Sequence, residues 1–280
     1  MSEPALSVKG IDHLIVMARD LDRSERAWAD LGFILTPRGF HQTGGTANHL
    51  IMLDRTYVEL LGLADPAAVS PYRSLIEEAP GAAGIAFRGS ADETHAFWRA
   101  QGLRPEAPSE LARPVKVGGR SEQARFRLAM LERSAELPFI LFCCQHLTPQ
   151  FVWPADARPH PNGARSLQEV LVIVDGPDIQ SQFERITGRP ASRTAEGEAT
   201  LPLADSRISF LSEAAFERRF GPGASPARRA RPLLAGFGLA SSNLEQARRF
   251  AQAAGWATRA TDRGFAAYGS TDGVVIEWTP

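Results

Sequence analysis

The stretch Gly10-Ile-Asp-His-Leu-Ile-Val-Met-Ala18, followed by Asp20-Leu-Asp-Arg-Ser-Glu-Arg-Ala-Trp-Ala-Asp-Leu-Gly-Phe33, decides the fold. Its first part has the apolar, β-branched character of a buried strand. In its second part Leu21, Ala27, Trp28 and Leu31 share one helical face, Asp20 is a helix N-cap residue and Gly32 a helix stop. The same pattern returns near the end of the chain. Asn243-Leu-Glu-Gln-Ala-Arg-Arg-Phe-Ala-Gln-Ala-Ala-Gly-Trp256 aligns with Asp20–Phe33 without a gap, again after an apolar strand.

Two weaker copies lie between them. Ser90-Ala-Asp-Glu-Thr-His-Ala-Phe-Trp-Arg-Ala-Gln-Gly-Leu103 follows the strand Gly84–Phe87, and Pro177–Arg189 follows Glu169-Val-Leu-Val-Ile-Val174. Hairpin patterns come after each helix: Thr46–Leu53 into Thr56–Leu61, Arg125–Leu131 into Phe139–Cys144, Ala199–Leu203 into Arg207–Leu211, and Phe265–Tyr268 into Val274–Trp278. The chain is therefore read as an α+β protein of four βαβββ modules, beginning near residues 10, 81, 167 and 233. Prolines 149, 154, 159 and 161 with Gly163 mark residues 148–165 as a linker, with His160 in solvent. That divides the chain into 1–147, holding modules one and two, and 166–280, holding modules three and four. Between modules three and four, Phe220–Pro232 reads as an irregular stretch. Its arginines, with Arg218 and Arg219, form a basic patch: either a solvated loop or an anion-binding lid.

The totals narrow the function classes. With 31 basic and 32 acidic residues the net charge is −1, which supplies no electrostatic drive toward nucleic acid or an acidic membrane surface. The first residues have no apolar signal core, and no stretch has the length of a membrane span. The only cysteines, Cys143 and Cys144, are adjacent and poorly placed to bridge, so the expected compartment is the reducing cytoplasm. Neither a dinucleotide-binding Gly-x-Gly-x-x-Gly, a P-loop nor a nucleophile elbow is visible.

A repeated strand-helix-three-strand unit, with His13 in a first strand and Glu59 in a last strand, resembles the vicinal oxygen chelate superfamily. That group includes glyoxalase I, extradiol dioxygenases and the fosfomycin and bleomycin resistance proteins. More narrowly, Asp12-His13, Gly45-Thr46-Ala47-Asn48 and Tyr57-Val58-Glu59 are similar to the signature of glyoxalase-like proteins, as are His41 and Gln145. The resemblance implies two tandem glyoxalase-like half-barrel domains whose sheets curve into cups. It also implies a small-molecule substrate and metal ligands drawn from the first and last strands of the modules. His13 and Glu59 are then the expected catalytic and metal-binding pair, with Asn48, His41, Thr46, Tyr57 and Gln145 toward the substrate.

Residue chemistry alone leaves two readings for that pair: a metal site, or His13 hydrogen-bonded in the core with Glu59 on a wet sheet face. An imidazole and a carboxylate suit Zn, Ni, Mn or Fe(II), and a carboxylate in Tyr-Val-Glu-Leu-Leu needs a cation or water. The expected mates in module two are not ligands: Ala83 stands opposite His13, and Ile140 or Leu141 opposite Glu59. His146 is the candidate third ligand; Glu277 takes that role if modules one and four pair instead. His49 alternates with Asn48, so one of the two faces the cup. Glu169 and Glu277, at the matching positions of the second half, are either a carboxylate site, an acid/base pair or salt-bridged. Two readings stand: a metalloenzyme that chelates a small oxygen-rich substrate, as an isomerase, lyase or dioxygenase, or a metal-free binding protein of the bleomycin-resistance type. A homodimer is allowed by either.

His13 recurs in the repeat as Ala83, Glu169 and Gly236. A position kept only for packing would stay apolar in all four modules, so the variation predicts a side chain facing a cavity.

Overall fold

A computed structural model describes residues 7–41, 43–117, 120–153, 158–194, 198–226, 231–269 and 272–280. Each repeat unit begins with a long apolar strand, because a strand buried on both faces needs no alternation of polarity. In the first half the elements are β1 (Val8–Met17), α1 (Leu21–Asp30), β2 (Gly39–Phe40), β3 (Thr46–Met52), β4 (Tyr57–Leu63) and α2 (Arg73–Glu78). They continue with β5 (Gly81–Gly89), α3 (Ala91–Ala100), β6 (Ser109–Val117), β7 (Arg120–Met130) and β8 (Ile140–His146). The second half repeats the plan. It runs β9 (Ala164–Ile173), α4 (Asp178–Thr187), β10 (Ser192–Arg193), β11 (Ala199–Pro202), β12 (Arg207–Leu211) and α5 (Glu213–Phe220). The last elements are β13 (Leu233–Ser241), α6 (Leu244–Ala253), β14 (Ala257–Thr261), β15 (Gly264–Tyr268) and β16 (Val275–Thr279).

Capping follows the sequence. The side chains of Asp20, Ser90 and Asn243 accept the backbone N–H of Arg23, Glu93 and Gln246, which occupies one orphan donor at the start of α1, α3 and α6. Gly188 closes α4 in the left-handed conformation that suits glycine.

Two eight-stranded sheets result, ordered β2-β3-β4-β1-β5-β8-β7-β6 and β10-β11-β12-β9-β13-β16-β15-β14. Module one therefore pairs with module two through antiparallel β1 and β5, and module three with module four through β9 and β13. The pairing of modules one and four, which would bring Glu277 to His13, does not occur. β6 is a sheet edge, where Pro114 forfeits no interior ladder bond; that proline and the charges around it hide the strand in the sequence.

Behind the sheets, α1, α3, α4 and α6 pack in one continuous core shared by both halves, with Trp28, Trp98 and Trp278 fully buried. Polar links cross it. Asp272 accepts from Ser24 Oγ at 2.6 Å and Trp28 Nε1 at 2.8 Å, and Trp98 Nε1 donates to the Ile186 carbonyl at 2.8 Å. The proline-rich connection is also packed. His160 is buried, accepting the Ile34 N–H at Nδ1 and donating from Nε2 to the Met52 carbonyl, and Asn162 caps the Leu31 carbonyl. The solvent position expected from composition is thus corrected: backbone groups of the first half supply the partners that make burying His160 affordable. No helix among the described residues is long and apolar enough to cross a membrane.

The two cups differ because their inserted helices differ. In the first, α2 is one short helix with a single buried residue, Ile76. In the second, α5 sends Phe216 and Phe220 against Leu171, Ile173 and Val275, filling the concave face. Arg219 of the same helix enters this face; it is not part of a solvated patch. Its guanidinium donates to Glu169 at 2.6 Å and to Glu277 at 2.5 Å, while Arg207, Arg263 and Ser209 complete the shell of Glu169. A cation thus stands between the two carboxylates at the positions corresponding to His13 and Glu59. Burial pushes the Glu169 carboxyl up, but its arginine and serine partners outweigh that and hold it far below the ordinary range. Arg228 and Arg229 of the expected patch lie outside the described residues, and Arg231 pairs with Glu213.

Candidate functional site in the first cup

On β1 the alternation of side chains brings His13, Ile15 and Met17 to the concave face. The pairing with β5 slips between Ile11 and His13, and this irregularity places the Asp12 carboxylate beside the imidazole of its own neighbour. β4 contributes Tyr57, Glu59 and Leu61 from one face, as the strand period requires, and β3 contributes Asn48. His49 points the other way, to the Thr36 carbonyl and Arg38. These residues line a cavity of about 360 Å³ whose remaining wall, from β6, β7 and β8, is mostly apolar.

The polar groups at its floor are held from behind. Asp12 Oδ1 accepts from His13 Nδ1 at 2.7 Å and from His146 Nε2 at 3.1 Å. Burial drives the Asp12 acid up, yet the hydrogen bonds and charge of the two imidazoles prevail and bring it down from 3.8 to about 2. An ionised Asp12 only accepts, so the Nδ1 of His13 carries a proton, and Nε2 faces the cup. The Tyr57 ring stacks on the imidazole at 4.3 Å, and Phe142 meets it edge-on at 5.4 Å. Glu59 is fixed in the same manner. Asn48 Nδ2 donates to its Oε1 at 2.6 Å, leaving Oε2 toward the cup. Gly39 makes room for that amide, since a Cβ there would lie 2.5 Å from Asn48 Oδ1.

The front atoms face one another. His13 Nε2 lies 3.7 Å from Glu59 Oε2, and His41 Nε2 lies 3.7 Å from Glu59 Oε1. His41 is oriented by Thr46, whose hydroxyl is 2.8 Å from Nδ1. Metal bonds of about 2.0–2.2 Å to nitrogen and oxygen allow such ligand spacings after small adjustment. His13 Nε2 and Glu59 Oε2 are thus close enough to share a divalent ion, whereas His41 does not join both of them in a trio of ligand atoms within 4.8 Å of one another.

His146, the third ligand expected from sequence, does not reach the cup. It stands behind Asp12, stacked on Trp153 at 5.0 Å, as a support for the dyad. Gln145 is likewise elsewhere: its Oε1 accepts the Ala91 N–H at the start of α3. Being consecutive on β8, these two cannot both face the cup, and the strand's cup-side residues are Ile140, Phe142 and Cys144.

Asp12, His13 and Cys144 form the one group of three described His, Cys or carboxylate residues whose ligand atoms lie within 4.8 Å of one another. It makes a poor ion site. Asp12 Oδ1 is already shared by two imidazoles, and burial pushes the Cys144 thiol well up, so it keeps its proton.

Two cavity residues carry no motif that singles them out. Arg113 comes from the hidden edge strand β6, and Tyr72 precedes α2. Asp12 had a signal, its place in the Asp-His dipeptide, but its role depends on the slipped register. Asp12→Asn is expected to cost about 1–3 kcal/mol, by weakening two buried hydrogen bonds, and to leave His13 in mixed tautomers. Denaturant titration and imidazole nitrogen shifts would check this; unchanged tautomer populations would show that Asp12 does not orient the ring.

A family model described as a glyoxalase-like domain matches residues 11–187. No curated protein matches the chain. Among solved structures, a hypothetical protein from Staphylococcus aureus is similar over 96% of this chain and 98% of its own, at 13% identity and a TM-score of 0.65. A triple mutant of 4-hydroxymandelate synthase from Streptomyces coelicolor is similar over 98% and 92%, at 12% identity and 0.63. A variant of homoprotocatechuate 2,3-dioxygenase from B. fuscum, in complex with HPCA, is similar over 100% and 73%, at 13% identity and 0.56. At these identities the likeness is one of fold: two tandem half-barrels built from duplicated modules.

Proposed function

We propose, from the premise that the chain belongs to the glyoxalase-like domain family, that its first cup is a divalent-metal site chelating two adjacent oxygens of a small substrate. The observation that carries this reading is the pair of bare front atoms. Nε2 of His13 and Oε2 of Glu59 face each other at 3.7 Å, while Asp12 and Asn48 hold the atoms behind them. A carboxylate and a carboxylate-backed imidazole arranged in this way are a metal pair with its supporting partners. The pair supplies one imidazole and one carboxylate, a set open to Zn, Ni, Mn or Fe(II) with water in the remaining positions.

When bound, the metal would supply a Lewis acid for the chelated oxygens. The chain's own residues do the rest. Asp12 keeps the Nδ1 proton on His13, and Asn48 keeps Glu59 from rotating. His41, oriented by Thr46, is the floor side chain outside the His13 and Glu59 pair able to take a substrate proton, as an isomerase or lyase requires. Phe126, Leu128 and Phe142 exclude water and pack an apolar substrate body, the setting dioxygenase chemistry also needs.

The apolar wall favours a second reading. Ala83 and Ile140 stand where a symmetric site would have ligands, which suits a metal-free small-molecule binding protein. Elemental analysis of the purified chain decides between them. About one equivalent of transition metal, removed by a chelator and restored by reloading, is expected. Metal-free protein that takes up none on incubation, yet binds small aromatic ligands, would select the second reading.

A further inference from the structure

We infer that the ligand of the first cup carries a carboxylate and that Arg113 is the residue that receives it. This rests on the proposed use of the cup and adds a substrate class to it. Arg113 lies on β6, the last strand of the sheet, and is half-buried with its side chain in the cavity wall. Its guanidinium sits 5.9 Å from the centre of the Phe126 ring. Its Nη1 would be 4.0 Å from a Cβ at Gly39 on β2, the first strand of the same sheet. The curvature of the sheet thus lets one side chain reach between its two edges, across the cup from one rim to the other.

No described carboxylate pairs with it. Nearby arginines behave differently: Arg125 holds Glu110 and Arg127 holds Asp92, both on the outside. Arg113 is the only lysine or arginine among the described residues that line the cavity. A guanidinium drawn partly out of water without an anion is unfavourable, and its planar fork matches a carboxylate in bidentate fashion. The walls between Arg113 and the floor are Leu111, Phe126, Leu128 and Phe142, so the body carrying that carboxylate is aromatic or aliphatic. The ligand class is therefore an apolar, ring-sized acid whose other end bears the oxygens that meet the floor.

Calorimetry with phenylacetate and its neutral counterpart phenylacetamide tests this, on the full chain both chelator-treated and metal-loaded. In the metal-free protein the acid should bind about 10- to 100-fold more tightly than the amide, the range expected for charge-assisted hydrogen bonds. Arg113→Gln should remove that preference, weakening acid binding far more than amide binding and leaving metal content unchanged, and Arg113→Lys should restore part of it. Equal binding of acid and amide by metal-free wild type, no acid binding at millimolar concentration, or acid binding unchanged by Arg113→Gln would overturn the inference. A protein that never takes metal but keeps the acid preference would refute the chelation reading and leave this one standing.

Discussion

Glu59→Gln and His13→Ala are each expected to lower the affinity of the first cup for a transition metal by more than 100-fold. Loss of a supporting partner alone costs 10- to 100-fold, and loss of a ligand costs more. Glu59→Gln is the sharper test because it preserves shape. The amide can still meet Asn48, so the cup should stay folded while its charge is removed. His13→Ala opens a void beneath Tyr57 and leaves Asp12 with His146 as its remaining imidazole partner, so some loss of stability accompanies it. Metal content and thermal melting measured together separate the two effects. Full metal occupancy in both variants would remove His13 and Glu59 from the site and sink the chelation reading.

Arg219→Met is expected to be the most damaging change in the second half. It deletes the guanidinium that bridges Glu169 and Glu277, leaving buried carboxylates with fewer cations, of which Glu277 is fully buried. Breaking such a pair costs about 3–5 kcal/mol, on the order of 10 °C in melting temperature for a chain of this size. Arg218→Ala, one residue away and 60% exposed in its side chain, should change stability by no more than about 0.5 kcal/mol. The pH dependence has a definite sign. Glu169 is an acid held below its ordinary value of 4.5, so its network stabilises the fold above that pH and the stabilisation is lost as pH falls through the folded value. The gap between wild type and Arg219→Met should therefore narrow below pH 4.5. A gap that is small at pH 7, or constant down to pH 3, would mean the network contributes little.

The contrast between the halves has a physical basis. Both cups inherit one plan, with polar residues at matching places on their first and last strands. In the first, Glu59 has an amide on one oxygen and imidazoles near both. In the second, α5 supplies a guanidinium to the carboxylates and aromatic rings to the cavity, so charge and space are both satisfied from within the chain. An insertion two residues longer than α2, with two phenylalanines, is enough to turn a cup into a core.

Local pattern was sufficient for the modules, the helix caps and the faces of the strands. Strand and helix periods, cap chemistry and turn composition act over a few residues and are written directly in the order of side chains. They also put Tyr57 and Glu59 on one face of their strand and set Asn48 opposite to His49, while the structure decides that Asn48 is the one in the cup. What depends on contacts between distant strands was settled only by tertiary structure. The pairing of β1 with β5 keeps Glu277 away from His13, and the slipped register turns Asp12 onto His13. The turn before β3 brings His41 to Glu59, while His146 withdraws behind the dyad. Arg113 reaches the cup only because the sheet curves until its first and last strands face one another. Curvature and register are sums over the whole sheet, so no window of sequence contains them.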